Sequence, residues 1–400
     1  MFRRLVRAFG FAGAQPRLAQ NTAPLAFCQL RRRSLPATPA ESFAFAKFKN
    51  NSNNYFMKKF ALSVFFVLVF VSCAQNSNFL AFESMNTFMT LKTYGKNSTK
   101  ANLKIKSRIL ELENYFSTTK PQSDIYKINR TDGDFEFTNE DTARLVLYAF
   151  GMAEKTGGAL NPAIYPIVKA WGFTTGEYKI PSESEIHSIL PCTDFSKIKI
   201  KEISFENAEK SEKKFILKKP AGAMIDFGAV AKGFAGDEAV KILESFGIES
   251  AILDLGGNIV AFGAKPDGTE WNVGIKNPWD GENPAAGLKV RNKNVVTSGG
   301  YERFFVGADG KKYIHIFDGK TGHPVENELE SVSVVSESGV YADALSTALF
   351  VMGTEKAIDF WKSNRDFDMI LITKDKKIFY TSSLDQKISI LYDFSEKIRI

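Results

Sequence analysis

Hydrophobic positions recur along this chain with two periods, and the switch between them predicts a mixed α and β protein. "KANLKIKSRILELENYF" spaces Leu103, Ile109, Leu110, Leu112 and Phe116 as a helical stripe. "NEDTARLVLYAFGMAEKTGG" reads as a second helix that opens at a capping group and stops at paired glycines. Ahead of them "NTFMTLKTYG" has the β-formers of a strand, and "STTKPQSDIYKINRTDGD" is a loop rich in turn residues. From Ile198 onward strands dominate. "KIKIKEISFENAEKSEKKFILKK" predicts a hairpin, and "GAMIDFGAVAKGFAGDEAVKILESFGI" a strand ending at Asp226, a turn at Gly228, and a helix to Phe246 stopped by Gly247. Further strands are expected in "SAILDLGGNIVAFG", "EWNVGIKNP", "KNVVTSGGYERFFV" paired with "KKYIHIF", "ESVSVVSES", "FDMILITKDKKIFYTS" and, last, "ISILYDF". "VYADALSTALFVMG" and "AIDFWKSN" are helices between them. No internal repeat occurs and no low-complexity linker follows Ser84. The expected fold is α+β, a compact mixed-sheet unit of two intimately packed lobes spanning residues 85–400.

One apolar run fits neither period. Phe60–Val71 follows Met57, Lys58 and Lys59 and ends at Ser72-Cys73, which is too short for a comfortable membrane span. It resembles a bacterial lipoprotein signal with "FVSC" at the processing site. On that reading Met57 is the true start, residues 1–56 are upstream sequence, 57–72 are the signal, Cys73 carries lipid, and 73–84 form a polar tether. The protein is then expected in a bacterial cell envelope, anchored to a membrane and facing the periplasm or exterior. A buried hydrophobic helix, or a transit peptide stacked on a signal, are the competing readings.

Charge supports the division. The chain's +7 is misleading: residues 1–56 hold seven Arg and two Lys against one acid, a net +8, and Lys58 and Lys59 raise it to +10. About −3 is left for residues 73–400, so the basic balance gives no reason to expect nucleic acid as a partner. The three cysteines are Cys28, Cys73 and Cys192, which leaves no internal disulfide framework, and three histidines are too few for a zinc cluster.

Three constellations could carry chemistry. In "IDFGAVAKGF" a helix N-terminus with Lys232 in its first turns suits an anion while Asp226 grips a polar group; a plain strand–helix corner is the alternative. In "HIFDGKTGHPV" His315 stands where a strand meets a tight turn, either as a base or polar anchor or as a structural histidine. In "GGALNPAIYPIVKAWGF" glycines and prolines hold irregular backbone at Ala159, Leu160 and Asn161 that can meet a planar ring, with Tyr165 and Trp171 as aromatic surface; loop packing is the alternative. A fourth pattern is Asp343 and Thr347, four apart on one helix, either a charge suiting the helix dipole or a hard-cation site.

In order, "MNTFMTL", "SDIYKIN", "GGALNPAIYPIVKAWGF", "IDFGAVAKGFAGD", "LDLGGNIVAFG", "TSGGYERFF", "HIFDGKTGHPV" and "ADALSTALFVMG" resemble the FAD:protein FMN transferases, the thiamine-biosynthesis-type lipoproteins, from about Met85 to beyond Gly353. The resemblance implies that the chain binds FAD and a divalent cation, usually Mg²⁺. It further implies cleavage of the pyrophosphate and transfer of FMN to a threonine or serine of an exported client flavoprotein, with release of AMP. Carried over by position, the metal ligands are the carbonyl of Ala229 and the side chains of Asp343 and Thr347. The FAD contacts are Met85, the backbone at Ala159, Leu160 and Asn161, Asp226, Lys232 and Ile316, with Thr119 where relatives often place a ring-contacting tyrosine. His315 is the expected group to orient or deprotonate the acceptor hydroxyl. Two further departures are Asn161 for Asp and Asn86 for Gly. Hydrolysis of FAD, or flavin binding without catalysis, are the rival activities.

Overall fold

The computed structural model describes residues 77–400 apart from Ala208 and Glu209. The residues assigned above to an upstream leader, a signal and lipid-bearing Cys73 lie outside that range. The stretch assigned to a tether does not: Ser77–Ser84 is a strand, β1, pairing antiparallel with β2 at Thr87–Tyr94. Its alternation is hidden in the sequence because two of its inward positions are polar. Their partners come from α1 (Ser98–Phe116): the Ser84 hydroxyl donates to Glu113 at 2.9 Å, and the Asn102 amide donates to the Asn78 side chain at 2.8 Å. The joining turn puts Met85 and Asn86 at φ +55° and +59°, a left-handed pair of the kind hairpins favour. Asparagine tolerates that region better than most residues, so Asn86 suits the turn.

The expected stripe of α1 is partly corrected. Ala101, Ile105, Ile109, Leu112 and Phe116 face inward, whereas Leu103 and Leu110 are exposed. A buried Leu contributes roughly 1.5–3 kcal/mol, so turning the helix to cover those two would uncover five apolar neighbours and lose more. The next helices are short α2 (Asp124–Ile128), inside the expected loop, and α3 (Glu140–Lys155), capped by Asn139 as its sequence predicts. Beyond these come α4 (Tyr165–Ala170) and α5 (Glu183–Ile189). The expected hairpin forms as β4 (Lys199–Asn207) and β5 (Lys210–Lys219), joined by β3 (Gly133–Glu136) at the edge of β5.

The strand expected to end at Asp226 is absent. There the backbone makes no ladder. The side-chain amide of Asn129 donates to the Ile225 carbonyl at 2.8 Å and accepts from its N–H at 2.7 Å, and Asp226 N–H donates to the Pro162 carbonyl at 2.9 Å. A helix, α6, then runs Ala231–Ser245, and Gly247 follows its end at φ +64°.

The remaining strands are β6 (Ser250–Asp254), β7 (Asn258–Gly263), β8 (Trp271–Lys276), β9 (Pro284–Val290), β10 (Lys293–Gly299), β11 (Phe304–Val306), β12 (Lys312–Ile314), β13 (Leu329–Ser336), β14 (Asp368–Thr373), β15 (Lys377–Tyr380), β16 (Ile388–Ile390) and β17 (Glu396–Arg399). Two helices, α7 (Gly339–Met352) and α8 (Thr354–Ser363), separate β13 from β14. Nine strands form one sheet in the order β1-β2-β6-β7-β10-β13-β14-β15-β17, antiparallel except where β15 meets β17. Within the expected paired strands only β11 and β12 pair; β10 lies between β7 and β13.

The sheet is covered on both faces at its centre: β13 is buried at every position but Glu330, its three serines included. On one face Leu91, Leu253, Val260, Val296, Val332, Val334 and Leu371 pack with apolar residues of α1, α3, α6 and α7. On the other, Ala261, Val295, Val335, Ile370 and Ile372 meet β8 and β9, which form a small sheet with β16. The whole is α+β, as expected.

Candidate active site

The site begins where α6 crosses α7. A Cβ on Gly233 would stand 2.0 Å from the Gly339 carbonyl, so only glycine allows this approach. The contact seats Asp343, on the second turn of α7, against the start of α6, where its Oδ2 accepts from Gly233 N–H at 2.8 Å. Gly233 is the third residue of α6, and its N–H is one of the first-turn donors that a helix cannot satisfy itself, so Asp343 caps it. The carbonyl of Ala229, ahead of the helix, takes no donor among the described residues. The second carboxylate oxygen, Oδ1, lies 3.7 Å from Lys232 Nζ, which donates to Asn258 Oδ1 at 2.8 Å. One turn on, Thr347 Oγ1 is 3.2 Å from Ser298 Oγ at the end of β10, and Ser298 also meets Ser346 Oγ at 2.8 Å.

The donor types suit a hard cation. A carboxylate, a hydroxyl and an undercommitted carbonyl are oxygen ligands of the kind Mg²⁺ selects. Asp343 is buried, and among the described residues its carboxylate meets one backbone N–H and a nearby ammonium. Among the described residues no three His, Cys, Asp or Glu side chains form a metal cluster, so a cation here would rely on mixed oxygen donors and substrate oxygens. Asp237, also on α6, steadies α7 from behind: its carboxylate accepts from Gly339 N–H at 2.5 Å, Ser338 Oγ at 3.1 Å and Val340 N–H at 3.3 Å. Burial pushes its pKa up to about 7 against those three donors.

A second group gathers around His315, just past β12. Its Nδ1 and its backbone N–H both lie about 3 Å from the Arg303 carbonyl, at 3.0 and 3.1 Å. A carbonyl only accepts, so Nδ1 carries the proton and Nε2 presents a lone pair. Burial first, then the positive charges of Arg303 and Lys232, lower the imidazole to about 4. The ring is therefore neutral at physiological pH. Asp226 belongs to the same corner: burial raises its pKa, and its Oδ1 accepting from Gly228 N–H at 2.6 Å and the charge of Arg303 oppose the rise.

The loop at 159–163 is tied to this corner through Pro162 and Asp226. Asn161 bridges further, donating to the Thr193 carbonyl at 3.0 Å and accepting from Ala163 N–H at 2.9 Å. A Cβ on Gly319, in the turn after His315, would stand 2.6 Å from Asn161 Nδ2, so that turn lies directly against the loop. Leu160 and Ile316 are buried in the core, Leu160 N–H being taken by Thr156 Oγ1 and the Ile316 carbonyl by Val325 N–H. Met85 is buried too, at the tip of a hairpin whose Thr87 packs on Gly256, in the turn before Asn258.

Thr119 is exposed, and its hydroxyl and N–H both turn back to Ser117 Oγ at 3.1 Å. One expectation fails here. Trp171 is no open platform. It is buried against Tyr313 and Phe317, with its indole N–H donating to the Gly322 carbonyl at 3.0 Å.

Sequence reasoning also missed residues. Ser298, Asn258 and Asp237 are ordinary polar positions until the fold brings them to Thr347, Lys232 and α7. Arg303 left a signal, a lone cation inside the aromatic run "GGYERFF".

Together these features define a class: an α+β protein with oxygen donors at a helix crossing and a cationic, histidine-bearing corner whose imidazole feels the charge of Lys232. The chain belongs to the ApbE family, whose profile it matches over residues 85–371. It is 33% identical over 300 residues to the FAD:protein FMN transferase of Treponema pallidum, covering 70% of this chain and 82% of that one. The Escherichia coli K12 protein of the same name is 28% identical, with 75% and 85% covered. Among solved structures, the ApbE protein of Thermotoga maritima superposes with a TM-score of 0.70 at 28% identity, covering 78% of this chain and 99% of that chain. The flavin transferase ApbE of Vibrio cholerae gives 0.68 at 26% identity, with the same coverage.

Proposed function

We propose that this protein moves the FMN half of FAD onto a threonine or serine hydroxyl of an exported client protein, in a reaction that depends on Mg²⁺. Family membership and the names of the relatives support the flavin transferase activity itself. The observation that supports the metal dependence is Asp343, a buried carboxylate against the start of α6 whose partners among the described residues are one backbone N–H and a nearby ammonium. Ala229, Asp343 and Thr347 would hold the cation. A Mg²⁺ held there would supply positive charge to offset that of the diphosphate.

The rest falls to the chain's own residues. Lys232 supplies a second positive charge, held in place by Asn258. The acceptor oxygen bonds to the flavin-side phosphorus, the bond from that phosphorus to the bridging oxygen breaks, and AMP leaves with that oxygen. His315 Nε2 receives the hydroxyl proton. A preorganised positive site is the main lever in such a transfer, because the developing charge sits on phosphoryl oxygens. The backbone at Ala159–Asn161 and Asp226 position the flavin nucleotide. Lipid on Cys73 would place this site at a membrane surface outside the cytoplasm, where an exported client is met.

The test incubates the purified protein with FAD, Mg²⁺ and a threonine-bearing client, and follows flavin fluorescence on the client band. Transfer in wild type, abolished in Asp343→Ala with the fold intact by circular dichroism, is the expected result. Transfer undiminished in that variant removes the metal assignment. Release of free FMN and AMP without labelled client would make the protein an FAD pyrophosphatase, and intact FAD throughout would leave it a flavin binder.

A further inference from the structure

In the His315 corner, the Arg303 side chain lacks hydrogen-bonding partners among the described residues. Its Nε and Nη2 are buried and donate to nothing among the described residues. Those two nitrogens form one edge of the guanidinium, the edge that grips two oxygens of an oxyanion side-on. Elsewhere in this chain the same edge is filled: Arg108 Nε and Nη2 both donate to Glu238, at 2.9 and 2.7 Å. Buried donors are ordinarily paired, and a charged one left unpaired is costly, so such an edge points to a ligand.

The surroundings fix its place. The Phe173 ring backs the guanidinium at 5.4 Å. The Arg303 carbonyl holds His315 by Nδ1 at 3.0 Å, so base and fork share one residue as their frame. Asp226, the nearby acid, has an oxygen engaged by Gly228 N–H and forms no ion pair with the guanidinium.

We propose that Arg303 is the phosphate clamp of this site, its Nε and Nη2 taking two oxygens of the flavin-side phosphate. The choice of phosphate rests on the transferase reading above: the hydroxyl attacks the flavin-side phosphorus, and the group that takes its proton, His315, is anchored to Arg303. The clamp also explains how FMN, rather than the flavin ring alone, is recognised.

The experiment titrates FMN and, separately, riboflavin into the full-length protein, with EDTA and again with Mg²⁺, reading flavin fluorescence. Wild type should bind FMN at least about tenfold more tightly than riboflavin, a factor typical of one charge-assisted pair. Arg303→Gln should lose that preference while keeping riboflavin affinity, and Arg303→Lys, which keeps charge but not the fork, should recover only part of it. Thermal melts establish that both variants fold. If Arg303→Gln keeps the full preference for FMN, or if riboflavin affinity falls as much as FMN affinity, the clamp is overturned while transfer by wild type still stands. If wild type binds neither flavin and labels no client, the transferase reading and the clamp fall together.

Discussion

Arg108 and Arg303 are both largely withdrawn from solvent, and the protein treats them in opposite ways. Arg108, on α1, is fully engaged: Nη1 reaches Glu111 at 2.8 Å, Nη2 reaches Asp141 on α3 at 2.7 Å, and the Nε edge is held by Glu238 on α6. One side chain thus ties three helices over the sheet, and its carboxylate partners hold its pKa still higher than normal. Arg303 sits on an irregular segment after β10 and leaves its equivalent edge open. The first arrangement satisfies charge within the fold. The second keeps charge in reserve, in a corner that already holds a neutral histidine and a buried carboxylate. What separates scaffold from site here is the pairing of the polar groups, not their burial.

The contrast is broken most directly at Arg108. Arg108→Met would take the guanidinium from Glu238 and Asp141, whose side chains are only 13% and 16% exposed and keep Lys241 and Arg144 as their remaining partners. Losing hydrogen bonds to a charged group typically costs about 1.5–3 kcal/mol. The prediction is a loss of roughly 2 kcal/mol in urea unfolding, with flavin transfer retained well below the melting temperature. A change under about 0.5 kcal/mol, the range of an ordinary surface substitution, would mean that the network is loosely held in solution.

How much of this contrast the sequence discloses depends on whether the signal is local. Asp343 and Thr347 were legible because helical spacing alone puts them on one side, and β2, α3 and the β4–β5 hairpin follow from local periodicity and capping. The strand β1 was not, because Asn78 and Ser84 occupy inward positions and their partners, Asn102 and Glu113, come from α1. Strand β17, with the short charged sequence "EKIR", offers little pattern, and it finds its place only by parallel pairing with β15. Asp226 read as a strand end because its neighbours are apolar, while the hydrogen bonds that define the segment come from Asn129 and Pro162. Arg303 is the extreme case. That its edge is unpaired depends on every element around it, and no window of sequence contains that fact.

The opposite substitution should have the opposite sign. Arg303→Met removes a buried guanidinium that gains no hydrogen bonds, and leaving such donors unsatisfied costs on the order of 1–3 kcal/mol. The contact with Phe173 returns part of that, roughly 0.5–1 kcal/mol. The variant should therefore unfold at a higher urea midpoint, by about 1 kcal/mol, with an unchanged denaturant slope, while transfer collapses. A stability loss comparable to that of Arg108→Met would show that Arg303 is paired after all and would erase the distinction.

The smallest expected effect concerns His315, and it tests whether Arg303 faces the imidazole. Burial is the first cause of its lowered pKa, and Arg303 and Lys232 follow as neighbouring positive charges. Because the folded pKa, about 4, lies below the ordinary value of 6.5, the fold favours the neutral ring. The stability this confers is fully present above pH 6.5 and is lost as pH falls through about 4. Removing Arg303's charge leaves burial and Lys232 in force, so the pKa in Arg303→Met should rise only part of the way, by roughly one unit. With three histidines in the chain, the His315 ring resonance can be assigned by its loss in His315→Gln and followed through an NMR titration. An identical titration in wild type and Arg303→Met would place the guanidinium away from the ring, so that the base and the clamp could not serve the same phosphorus.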